Sequence, residues 1–243
     1  MSRVISWFSC GAASAYATYL ALQKYENLEI IYCHVKQEHS DNMRLLKDFE
    51  RRFNCSITIL ENKKHGGDIY DVFRKRKFIK NENGAPCTML LKKELRKQYQ
   101  QTGDIHIFGY PVGEEDRVTQ LLDKEPTLII DEILIDNEIT KNDCKQWLLT
   151  TGFELPTMYK LGYANNNCIG CVKGGMGYWN AIRVDFPEAF NKMAALEREL
   201  GHSVNKDSYL DELDPKRGDF KRDQPTSCGF LCEYQRPLFK ELT

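Results

Sequence analysis

Through the first half of the chain, short apolar runs alternate with segments whose apolar residues recur every three or four positions. The run Val4 to Phe8 ends at Ser9, Cys10 and Gly11, after which Ala13, Tyr16, Ala17, Leu20 and Ala21 recur at helical steps. This predicts strand, tight turn, helix. The same reading predicts strands over 29–35, 56–60 and 105–109, and helices over 41–53, 68–77 and 89–99. Crossovers of a dozen or more residues favour a parallel sheet with helices on both faces. Ligands of such sheets sit beyond the carboxyl ends of the strands, so residues 9–14, 35–41 and 109–117 share the rim where chemistry is expected.

Beyond Thr127 the pattern changes. Helices are predicted over 142–150 and 187–200, the latter opened by Pro187 and Glu188 and closed by Gly201. Residues 152–167 carry the Pro, Gly and Asn density of a loop, and the polar stretch 203–227 is expected to be a long mobile segment. The class is α/β, a doubly wound parallel sheet over 1–135. A helical, cysteine-rich extension over 136–243 is expected to pack on the same core.

Composition narrows the classes. The 243 residues are 42% hydrophobic and 28% charged, which fits a globular chain and excludes disordered and fibrous ones. A formal net charge of -1 offers no global basic field for nucleic acid or anionic lipid, so any anion site must be local. No apolar run approaches the roughly 20 residues of a membrane-spanning helix, and the start lacks a basic leader. A cytoplasmic protein without a membrane partner is expected.

Nine cysteines, an odd number, argue against a disulfide framework and for thiols in a reducing compartment. Cys33, Cys55 and Cys144 read as small buried hydrophobes. Cys168 and Cys171 form C-x-x-C, Cys228 and Cys232 form C-x-x-x-C, and Cys87 is a fifth candidate. Two close pairs suit zinc or an iron-sulfur cluster, although they lie much further apart than the roughly 15 to 20 residues of a compact zinc ribbon.

Ser9, Cys10, Gly11, Ala12, Ala13 and Ser14 join the first strand to the first helix with small residues, so their amides and the helix dipole can hold an anion. The alternative is an ordinary tight turn, since the Rossmann glycine pattern is missing. Lys92 and Arg96, one helical turn apart, could grip phosphate or sulfate, or simply form a solvated face. Glu38, His39 and Asp41 could hold a ribose or a metal, or cap the next helix.

Taken together these motifs resemble the phosphoadenosine phosphosulfate (PAPS) reductase family, the sulfonucleotide-reductase branch of the adenine nucleotide alpha-hydrolase or PP-loop superfamily. The resemblance is carried by SCGAASA, EHSDN, PCTMLLKK, FGYPVGEEDR, LPTMYKLGYANNNCIGC and TSCGFL, which span most of the chain. It implies a nucleotide-binding α/β domain and an adenine nucleotide (PAPS, APS or ATP) held by Ser9–Ser14, Glu38, His39, Asp41, Lys92, Arg96 and Arg117. Cys228 would be the nucleophile that attacks sulfonucleotide sulfur, with sulfite released by a thioredoxin-like thiol donor. A four-iron cluster, or zinc, would be held by Cys87, Cys168, Cys171 and Cys232. Thr88 stands where the family has a second cysteine, and Ala12 and Ala13 depart from the ATP-using S-G-G-x-D-S loop. Two other readings are an ATP-dependent sulfurtransferase or adenylating enzyme acting on nucleic acid, and a non-catalytic nucleotide-binding protein with a structural metal site.

Overall fold

Residues 2–82, 84–228 and 230 are described by the structure, a computed structural model. Five strands form one parallel sheet: β1 (Val4–Trp7), β2 (Leu28–Cys33), β3 (Ile57–Leu60), β4 (Ile105–Ile107) and β5 (Ile129–Asp131), in the order β3-β2-β1-β4-β5. Val4 is aligned with Leu28 on one side and Ile105 on the other, so β1 is central. Both faces are apolar because both are covered. Val4, Ile30, Tyr32 and Ile57 pack with α1 (Ala12–Lys24) and α2 (Asp41–Phe53), while Ile5, Trp7, Ile31 and Cys33 pack with α5 (Glu94–Tyr99) and α6 (Glu115–Lys124).

A third core lies beside the sheet. It joins α3 (Ile69–Arg76), Leu90 and Leu91 to α10 (Met176–Asp185) and α11 (Pro187–Leu200) through Phe73, Trp179, Phe190, Met193 and Leu196. α8 (Lys141–Thr150) instead packs on α1 through Cys144 and Leu148, and Phe230 joins the core of the opposite sheet face, so residues beyond 135 contribute to all three cores. Between α3 and β4 the chain runs through α4 (Pro86–Thr88), a π-helical turn Met89–Lys93, and α5. A short α7 (Ile133–Asp136) precedes α8, and a one-turn α9 (Thr157–Lys160) lies within the expected loop.

The stretch 203–227 differs from its expectation: it is docked. Leu210 and Leu213 are buried, the buried Glu197 carboxylate accepts the amides of Val204 and Leu210, and Arg183 donates to the Leu210 and Leu213 carbonyls. Further on, Asp223 accepts the Gly177 amide at 2.7 Å. A side chain at Gly177 would meet the Asp219 backbone at 2.5 Å. The polar composition signalled a free segment because its partners lie on helices distant in sequence. No described helix is long and apolar enough to cross a membrane.

Candidate functional site at the switch point

Chain direction across the sheet reverses between β1 and β4, and this switch point opens a crevice outside the strand ends. An open cleft occupies it, holding about 760 Å³ of space with its mouth included. Its walls are Ser9 and Gly11–Ser14 after β1, Phe108–Pro111 after β4, Glu114 and Arg117 of the α6 start, Lys141, Tyr159, the three asparagines 165–167, and Ser227, Cys228 and Phe230 from the tail.

The Ser9–Ser14 turn is tightly wound. Cys10 takes a left-handed φ of 57°, and the Ser14 hydroxyl accepts both the Ser9 amide and the Ser9 hydroxyl at 3.0 Å while donating to the Gly11 carbonyl. Gly109 lets β4 close against it, since a Cβ there would fall 2.5 Å from the Ser14 nitrogen. The amides of Ala13 and Ser14, in the first helical turn, have no intrahelical acceptor and border the cleft with the positive end of α1. Cys10 itself is buried behind the turn and its carbonyl is held by Asn166 at 2.7 Å, so its side chain is not part of the cleft wall.

The expected cations separate. Lys92 lines the cleft, but its ammonium donates to Glu38 at 2.7 Å. Burial acts to lower its pKa, yet Glu38 with the Cys228 and Cys168 thiols prevails and holds it well above an ordinary lysine. Arg117 also lines the cleft, where it pairs with Glu114, donates to the Ser227 hydroxyl and stacks over Tyr110. Arg96 does not reach it. Fully buried, it donates to both Glu125 carboxylate oxygens at 2.7 Å and lies over the ring of Phe230, a residue of the cleft wall. The π-helical turn Met89–Lys93 breaks the 3.6-residue phase on which a shared Lys92–Arg96 face depends.

Glu38, His39 and Asp41 are likewise placed outside the cleft lining. Glu38 is buried and accepts from Tyr32, Asn42 and Lys92. His39 accepts the Asp41 amide at the start of α2, and Asp41 pairs with Arg44 and accepts the Thr157 amide. These residues brace the rim.

A second, apolar cavity adjoins the cleft. Cys87, Cys168, Cys171 and Cys228 line it together with Ile69, Phe73, Ala85, Thr88, Val172 and Lys173. Cys228 lines both spaces. Asn167 positions it, accepting the Cys228 amide at 3.0 Å and donating to the Thr226 carbonyl, while Asn165 donates to the Pro225 carbonyl. Burial would raise the Cys228 pKa, but Lys92, Lys173 and the Thr88 hydroxyl, 3.5 Å from Sγ, lower it below that of an ordinary thiol. Cys168, by contrast, is raised well above it by burial and by Glu38. Cys232 lies outside the described residues.

Among the described residues no three His, Cys, Asp or Glu side chains converge on a single metal ion. The four thiols around one apolar cavity are nevertheless a donor set of the soft kind that iron-sulfur centres and zinc use. Sequence reasoning missed Lys141, Tyr159, the asparagine run and Ser227 as parts of the wall. The asparagines were visible as a cluster before C-x-x-C, but nothing local tied them to the first turn.

No family model matches the chain. It is similar to an uncharacterized protein of Methanocaldococcus jannaschii, 21% identical over 229 residues, which cover 88% of this chain and 53% of the relative. The chain thus spans about half the length of that relative.

Proposed function

We propose that the protein binds an adenine nucleotide in the cleft and, in the manner of the sulfonucleotide reductases its motifs resemble, acts on the substituent of the α-phosphate through Cys228. The observation that carries this reading is the place of Cys228, on the cleft wall and beside Lys92. The first-turn amides of α1 hold phosphate, and Lys92 and Arg117 neutralise charge that develops as the bond to sulfur breaks. In the step itself a bond forms between Cys228 sulfur and the sulfonucleotide sulfur as the sulfur–oxygen bond to phosphate breaks. The nucleotide leaves with that oxygen and S-sulfocysteine remains. A dithiol donor then attacks the Cys228 sulfur and releases sulfite; its second thiol closes the donor disulfide and returns Cys228 as a thiol.

Cys228→Ser is expected to abolish sulfite release while nucleotide affinity stays within about threefold. A variant that still releases sulfite at the wild-type rate overturns the assignment.

The four-thiol cavity favours a second reading of the same site. There Cys87, Cys168, Cys171 and Cys228 would hold a four-iron cluster, one thiolate to each iron, and the enzyme is an ATP-dependent sulfurtransferase or adenylating enzyme of the PP-loop kind acting on nucleic acid. A cluster bound there would supply electron or sulfur chemistry. Iron and zinc analysis of anaerobically purified wild type and Cys228→Ser separates the two, because only the second reading loses metal with Cys228. Release of pyrophosphate from ATP rather than sulfite from PAPS supports the same choice.

A further inference from the structure

Two cleft-lining cations come from helix beginnings, Arg117 in the first turn of α6 and Lys141 at the first position of α8. Their loops are tied together: Val112 bridges to Thr140, and its amide donates to the Ile139 carbonyl at 2.9 Å. The tie holds together the two helix starts that carry these cations on the cleft wall. Lys141 is the unusual one. A cation at a helix N-terminus faces the positive end of the dipole and is disfavoured there. No carboxylate pairs with it among the described residues; its ammonium donates to the neutral Asn165 side chain at 2.7 Å. Glu114, the single carboxylate among the described cleft residues, is already engaged by Arg117. Burial first, then Lys145 and Arg117, depress the Lys141 pKa against the opposing pull of Glu114. An arrangement that is costly when empty becomes favourable once an anion shares it.

We infer that Lys141 and Arg117 form a second anion subsite, which takes a phosphate or sulfate group of the ligand other than the one seated on the Ser9–Ser14 turn. This deepens the nucleotide reading and rests on it for the identity of the ligand, though not for the existence of the subsite. The ligand class is then an adenine nucleotide with at least two anionic groups, and AMP fills only part of the cleft.

The test is calorimetric titration of wild type, Lys141→Met and Lys141→Arg with three probes: inorganic pyrophosphate, AMP and adenosine 3′,5′-bisphosphate. Lys141→Met is expected to weaken pyrophosphate and the bisphosphate by roughly 10- to 100-fold, the worth of a charge-assisted hydrogen bond. AMP is expected to change by less than about threefold, and Lys141→Arg to restore most of the loss. Matching thermal melts of the two variants exclude misfolding as the cause. The inference is overturned if wild type binds no pyrophosphate, if Lys141→Met binds pyrophosphate as wild type does, or if AMP is weakened as much as the bisphosphate. If pyrophosphate binds and depends on Lys141 while neither nucleotide binds, the subsite stands and the nucleotide reading falls.

Discussion

Adding one methyl group at Gly109 tests how closely the cleft is built. The new Cβ would lie 2.5 Å from the Ser14 nitrogen, 2.7 Å from its Cα and 2.8 Å from the Ala13 carbonyl carbon. All three are backbone atoms, so no rotamer change relieves the clash. Ordinary contact begins near 3.4 Å, so the end of β4 and the first turn of α1 must part by about 0.9 Å. Gly109 does not have a positive φ, and at such a position with room to spare an alanine stabilises by roughly 0.4–1 kcal/mol. Here overpacking reverses the sign, and Gly109→Ala is expected to cost about 1–3 kcal/mol. Hydrogen bonds weaken outside about 2.7–3.2 Å, so if the proposed nucleotide site is correct, a shift of the Ala13 and Ser14 amides is expected to lower nucleotide affinity at least about tenfold. Urea denaturation at constant m-value and calorimetric titration read the two effects. Gly103→Ala is the control, because nothing lies within 4 Å of its Cβ and only its left-handed φ of +89° is penalised. A Gly109→Ala protein as stable as wild type, with unchanged affinity, would refute the packing argument.

Two further outcomes follow from the same wall. Asn167→Ala removes the bonds that hold Thr226 and Cys228; kcat for sulfite release is expected to fall roughly tenfold or more, with a smaller change in KM, and a KM-only effect contradicts the positioning role. His106 is buried in β4 and accepts the Trp7 indole N–H at 3.0 Å, and burial together with Arg96 lowers its pKa to about 4 against the pull of Asp104. Below about pH 6.5 the unfolded chain takes up a proton that the folded one refuses, so the stability is intact above that pH and is lost as pH falls toward 4, by up to about 3 kcal/mol. Denaturation at pH 7.5 and pH 5 should show a steeper loss for wild type than for His106→Gln; equal slopes would sink the assignment.

Much of the scaffold was legible because it depends on local periodicity. The helices expected over 41–53 and 187–200 form over Asp41–Phe53 and Pro187–Leu200, with Asn54 and Gly201 taking the left-handed conformation just beyond them. Four strands lie where short apolar runs predicted them. The fifth strand, Ile129–Asp131, lies at the sheet edge and is only partly buried, so its residues need not follow a core pattern. α6 opens on three charged residues and α10 carries Gly177 near its start, which mask their apolar positions in a linear reading.

The sequence by itself determined the alternation that makes a parallel α/β sheet, the small-residue turn after the first strand, and the presence of close cysteine pairs. It did so because backbone sterics and side-chain period act over a few residues. Only the tertiary structure decided which groups meet. It sent Lys92 to the cleft and Arg96 to Glu125, brought Lys141 beside Arg117, and set Cys228 between the cleft and the three other thiols. Those outcomes depend on contacts between residues far apart in the chain, such as the 2.7 Å bond from Asn166 to the Cys10 carbonyl. No local pattern encodes the partner of such a bond, since an asparagine before a C-x-x-C reads the same whether it faces solvent or clamps the first turn.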